Sequence, residues 1–108
     1  ADLKQIDAAK RTGAPVIEIH TGHYADAEDK SERQQLLNEI VVACEHADNI
    51  GLQVNAGQGL NLRNIHDIAC LSQLRELNIG HAIIADSVFM GLEASVREYK
   101  RLMLEARM

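Results

Sequence analysis

The 108-residue sequence has no tryptophan, a single proline and no low-complexity tract. With 46% hydrophobic residues as well, it lacks the make-up of a disordered segment or a linker. Positive charge is in short supply. Eleven Lys and Arg stand against 16 Asp and Glu, giving a net charge of -5 and a pI near 5.4. No basic stripe is present to grip a phosphodiester backbone, so a nucleic-acid partner is not expected. No apolar run approaches the ~18 residues that a membrane span needs. The opening ADLKQIDAAKRTG carries a charge every few positions, which excludes a signal peptide and leaves a cytoplasmic location as the expectation. An initiator Met is missing, which points to a processed chain or an internal fragment. The two cysteines, Cys44 and Cys70, form no CxxC pair. Each falls in an apolar helical pattern and is expected as a buried free thiol in a reducing compartment. There is no HExxH, no Cys/His ligand spacing, no GxSxG elbow and no P-loop, so no metal is expected.

What is present is an alternation of helical and strand patterns within one domain, residues 1–108. Leu3, Ile6 and Ala9 recur at helical spacing before Thr12-Gly13. PVIEIHTG, residues 15–22, is short, β-branched and closed by glycine, and reads as a strand. HYADAEDK is polar and turn-like. Ser31 is positioned to cap a long helix whose buried face is Leu36, Leu37, Ile40, Val41, Cys44 and Ala47. LQVNAGQG, residues 52–59, is a second strand running into a glycine turn, followed by a short helix over 61–71. ELNIGHAII, residues 76–84, is a third strand broken at Gly80. A final helix is predicted over 85–107, with Val88, Phe89, Leu92, Val96, Tyr99, Leu102 and Met103 inward.

Three strand-helix units predict an α/β fold with parallel pairing, either an open doubly wound sheet or part of a (β/α)8 barrel. A full barrel takes ~250 residues, so three units are less than half of one. A lone three-stranded parallel sheet would expose two edges and a face. The expected partner is a missing N-terminal half or another copy of the chain.

Each predicted strand ends in polar residues and glycine: Glu18, His20, Thr21 and Gly22; Asn55, Gly57, Gln58 and Gly59; Asn78, Gly80 and His81. In barrels the active site lies where strands end, and the loops after the last two strands commonly grip phosphate. Gly57 and Gly59 allow close backbone approach, and free N–H groups ahead of a helix suit an anion. Gly80-His81-Ala82 can act alike in the next unit. The same glycines also serve tight turns alone. Glu18 points into a barrel if Ile17 and Ile19 pack outward; there it can move a proton or hold a developing cation, or form a structural ion pair. His20 shares its strand face by period-2 alternation.

GAPVIEIHTGHYADA, GLQVNAGQGLNLRNI and ELNIGHAII, followed by KRLMLEAR, closely resemble the C-terminal part of the pyridoxine 5′-phosphate synthase family of vitamin B6 biosynthesis. The resemblance covers nearly the whole chain. It implies a (β/α)8 barrel of homo-oligomers, with this chain carrying the sixth to eighth strands. The implied reaction condenses 3-amino-2-oxopropyl phosphate with 1-deoxy-D-xylulose 5-phosphate to pyridoxine 5′-phosphate, phosphate and water, without metal or redox cofactor. It further implies Glu18 as transition-state stabiliser, Gly59 as a substrate contact, and Gly80 and His81 as substrate and phosphate contacts. The sequence departs from the family at Gln58, where VNAGHG has a histidine proton donor; an amide donates a hydrogen bond but exchanges no proton near neutral pH. The family's two catalytic bases belong to the N-terminal half, so the isolated chain is expected to lack full activity. The competing expectations are a non-catalytic phosphate-binding barrel fragment or assembly remnant, and another phosphate-handling barrel such as a sugar-phosphate isomerase.

Overall fold

A computed structural model describes residues 2–108. The element order is α1 (Leu3–Arg11), β1 (Val16–His20), α2 (Gly22–Asp26), α3 (Lys30–Asn49), β2 (Gln53–Gly57), α4 (Ile65–Ala69), β3 (Leu74–Asn78), α5 (His81–Met90) and α6 (Leu92–Ala106). The three strands form one parallel sheet in the order β1-β2-β3. The expected α/β class and parallel pairing are therefore present.

Side-chain alternation explains how the sheet divides its faces. Ile17 and Ile19 of β1, Val54 and Ala56 of β2, and Leu74 and Leu77 of β3 join the core. They pack with Ile6 of α1 and with Ile40, Ala43, Cys44 and Ala47 of α3. Leu74 and Leu77 are three residues apart, which strict period-2 alternation would place on opposite faces. A register shift resolves this: Val54 pairs with Leu74, but Asn55 pairs with Glu76. Arg75 is the extra residue, and it lets both leucines face the core while Glu76 and Asn78 face the other way. The opposite face is polar. Glu18, Asn55 and Glu76 form one row across it, and His20, Gly57 and Asn78 the next. A second cluster, Ile65, Ala69 and Tyr99, joins α4 to α6 and shares Leu77 and Ile79 with the first.

Several sequence expectations are corrected. Asp29, rather than Ser31, caps α3, its carboxylate accepting the Ser31 N–H at 3.4 Å. The polar stretch 23–30 holds most of the short helix α2, because Tyr24 turns inward and is buried. The third strand starts two residues earlier and ends at Asn78; His81–Ile84 are helical. The long last helix is two helices, broken at Gly91, whose φ of 82° ends α5. That break rotates α5, so Val88 and Phe89 are 78% and 93% exposed instead of inward, and Leu92 is exposed too. Cys70 is exposed as the C-cap of α4, while Cys44 is fully buried.

Polar side chains hold the C-terminal elements in place. Ser95 is buried and its hydroxyl donates to Ile83 O at 2.9 Å. The buried Tyr99 donates to Asp86 at 2.8 Å, and burial together with that carboxylate raises its phenol pKa. Arg107 donates to Ala69 O, Leu71 O and Leu74 O at 2.8, 3.0 and 2.6 Å, closing α6 over the end of α4 and the start of β3. No helix among the described residues is long and apolar enough to cross a membrane.

Arg107→Ala leaves three carbonyls without this donor and is expected to cost about 2 kcal/mol, read as a lower urea midpoint. Arg101→Ala, whose pairs with Glu98 and Glu105 lie in solvent, is expected to shift that midpoint less. Burial pushes the Cys44 thiol up to about 11 from 9.0. Below pH 9 both states hold that proton. Between those values the unfolded chain loses it first, so this thiol lowers stability as pH rises. At pH 8 a thiol reagent is expected to label Cys70 in the native chain and Cys44 only after denaturation. Rapid native labelling of both would contradict the buried position.

Candidate active site

The carboxyl ends of the three parallel strands bring Glu18, Gln58, Gly59, Gly80 and His81 to one cleft of about 280 Å³. Leu60, Asn61, Asn78, Ile79 and Ala82 complete its lining. All five residues singled out from the sequence thus share one mouth. Strand spacing of about 4.8 Å puts Glu18 on β1 roughly 10 Å from the start of α5, two strands away.

The centre of the cleft is organised by an absent side chain. Gly57 pairs with Asn78 and sits one row beyond Glu18, and the Asn78 amide donates diagonally past it to the Glu18 carboxylate. A Cβ on Gly57 would stand 2.9 Å from Asn78 Cβ, from Asn78 O and from Glu18 Oε1. Glycine is therefore required for the two outer strands to join their side chains over the middle one. Beside them, the Asn55 amide donates to Glu76 at 3.2 Å and accepts from Gln53 at 3.3 Å.

Backbone geometry shapes the turn after β2. Gln58 has φ 97° and Gly59 has φ 74°. A left-handed glutamine carries a strain of order 1 kcal/mol or more, which its surroundings must outweigh. The buried Thr21, between β1 and α2, does so: its N–H donates to Gly57 O at 2.9 Å, and its hydroxyl donates to Gln58 O at 2.7 Å. Gly59 has no room for a side chain, since a Cβ would lie 2.7 Å from Ala25 Cβ. Asn64 donates to Gly59 O at 3.2 Å and accepts the Asn61 N–H at 2.8 Å. Tyr24 donates to Asn64 O at 2.8 Å. Burial, then the charge of Asp67, raises the Tyr24 pKa and keeps it a donor.

The third side of the cleft is the start of α5. Gly80, His81 and Ala82 line the cleft there, and no side chain caps this helix end, which leaves its first N–H groups without a side-chain acceptor. Gly80, its N-cap, has open space where a Cβ would be and an ordinary φ of -127°. Local geometry does not demand glycine there. Gly57 and Gly59 are different, since each lacks space for a side chain.

The lining offers one carboxylate, an imidazole and several amides, and no Lys or Arg. No group of three or more His, Cys, Asp or Glu among the described residues could hold a metal. Such a cleft can seat an anion against backbone N–H groups at one end and a cation against Glu18 at the other.

The family model for the pyridoxal phosphate biosynthesis protein PdxJ matches residues 1–105. The chain belongs to the PdxJ family. It is 53% identical over 107 residues to the pyridoxine 5′-phosphate synthase of Colwellia psychrerythraea, covering 99% of the chain and 44% of that relative. The synthases of Microcystis aeruginosa and Coxiella burnetii are 52% and 53% identical over 95% and 96% of the chain, and 43% of each relative is covered. The chain thus spans less than half the length of these PdxJ-family relatives.

Asn78 and Thr21 stand out in the sequence as strand-end polar residues, but no local signal gives their partners. Nothing in the sequence marks Tyr24, Asn61 or Asn64 as parts of the site. The Glu18–Asn78 pairing depends on a 60-residue separation and on the shift at Arg75, neither of which periodicity reveals.

Gly57→Ala is expected to part Glu18 from Asn78 and to cost about 1–3 kcal/mol, because one of the 2.9 Å neighbours is a backbone oxygen that cannot swing away. Urea unfolding measures the cost. An unchanged midpoint would show that the strands are not this close.

Proposed function

We propose that this chain supplies the sixth to eighth strands of a (β/α)8 barrel and the phosphate-gripping side of a pyridoxine 5′-phosphate synthase. The reaction is the condensation of 3-amino-2-oxopropyl phosphate with 1-deoxy-D-xylulose 5-phosphate to pyridoxine 5′-phosphate, phosphate and water. The observation that carries this reading is the single cleft that gathers Glu18, Gln58, Gly59, Gly80 and His81 at the carboxyl ends of three parallel strands. Membership of the PdxJ family supports it.

In this reading the phosphate sits on the first N–H groups of α5, with His81 as an added donor and Gly80 leaving room for the ester to approach. Glu18, oriented by Asn78, stabilises positive charge as it develops on the amino-ketone partner during ring closure. Gly59 lets a substrate oxygen approach the backbone. Gln58 donates a hydrogen bond through its amide, and the proton its position would otherwise supply comes from a bound water. The polar sheet face, open in this chain, fits the interior of a barrel completed by a further segment or a second copy of the chain. Exposed Val88, Phe89 and Leu92 support burial in a homo-oligomer. A cytoplasmic location agrees with the exposed, free Cys70 and the absence of a membrane-length apolar helix among the described residues.

The second reading, a phosphate binder without turnover, is favoured only by Gln58. Pairing the chain with the N-terminal part of the Coxiella burnetii relative and assaying pyridoxine 5′-phosphate separates the two. Turnover is expected, with Glu18→Gln lowering kcat/KM about 10²-fold. Gly80→Ala is expected to keep the unfolding midpoint, since its Cβ meets open space, yet to weaken phosphate-ester binding about tenfold, roughly 1.4 kcal/mol. A pair that binds phosphate ester without forming product, with Gln58→His as without it, would leave the binding-only reading standing.

A further inference from the structure

We propose that His20 is a neutral hydrogen-bond donor to a substrate oxygen, with its proton fixed on Nε2. The inference rests on reading the cleft mouth as that of a synthase, and it assigns a role to a side chain outside the five residues discussed above. His20 is exposed on the polar face of the sheet, two residues beyond Glu18 and in register with Gly57. Its orientation is set by the turn that follows. The Gly22 N–H donates to His20 Nδ1 at 3.3 Å. A backbone N–H can only donate, and the peptide plane fixes its direction, so Nδ1 must be the accepting nitrogen. In the neutral ring the proton then resides on Nε2.

Gly22 also explains the position of the ring. A Cβ there would come closer to His20 Cε1 than 3.0 Å and would stand 3.3 Å from Gln58 Cγ. Glycine leaves the space that the imidazole and the glutamine side chain share. His23 meets the His20 ring edge-on, with centroids 6.1 Å apart. The His20 ring and the Gln58 side chain thus share the space that Gly22 leaves beside the turn after β2, and Gln58 in turn lines the cleft with Glu18.

This geometry favours donation over proton exchange. A neutral imidazole with a fixed N–H can meet negative charge growing on an oxygen without reorganising. The ligand class is the carbonyl or hydroxyl oxygen of a small phosphorylated ketone, whose phosphate lies on the α5 side of the same mouth.

Two measurements test the assignment. In the ¹⁵N-labelled chain at pH 8, imidazole nitrogen shifts are expected to show the His20 proton on Nε2; a proton on Nδ1 overturns the proposal. In the chain paired with the N-terminal part of the Coxiella burnetii relative, His20→Gln returns an amide N–H close to the Nε2 position and is expected to hold kcat within about threefold. His20→Leu is expected to lower kcat about 10²-fold with a smaller change in KM. Equal loss in both variants marks a proton carrier and overturns the proposal, as does full activity in His20→Leu. If the unmodified pair gives no turnover, the synthase reading fails on its own, and the nitrogen shifts still decide the state of His20.

Discussion

The contact between Glu18 and Asn78 over Gly57 is the constraint on which the candidate site depends. It joins β1 to β3 across β2 and fixes where the one carboxylate of the cleft stands. It is possible only because the middle strand carries no side chain at that point. The core imposes the same arrangement from below. Ile17, Ile19, Val54, Ala56, Leu74 and Leu77 must all face the helices, which leaves the polar residues no choice of side. Hydrophobic burial sets the sheet, and the sheet then aims its polar residues at one mouth.

A second layer holds the turn geometry. Thr21 and Asn64 fix the peptides of Gln58 and Gly59, and Tyr24 holds Asn64 in turn. The left-handed backbone at Gln58 is a local cost met by these neighbours. It keeps a side chain of modest helix and turn preference at a position where glycine would sit without strain.

The open surfaces share one logic. The sheet has two edge strands, its polar face is uncovered by helices, and α5 turns Val88 and Phe89 outward. Parallel sheets are normally covered on both faces. A polar face with an organised row of carboxylates and amides fits a barrel interior better than a surface bathed in water. The PdxJ relatives, more than twice the length of the matched segment, have the extra chain that such a barrel would need.

The sequence by itself determined the alternation of elements, the parallel α/β class, the strand-end clusters and the family strings, because those follow from short-range periodicity and residue type. It also placed Glu18 and His20 on one face through simple alternation. Tertiary structure decided the rest. The extra residue Arg75 set the phase of β3, and with it the meeting of Glu18 and Asn78. Gly91 broke the last helix in two and left Val88, Phe89 and Leu92 exposed, while Tyr99, Leu102 and Met103 pack inward as their spacing predicts. Tyr24 joined the core from a stretch that reads as a polar turn, because burying one aromatic ring outweighs the charges around it. Such outcomes rest on contacts between residues tens of positions apart, and no local pattern encodes the distance between them.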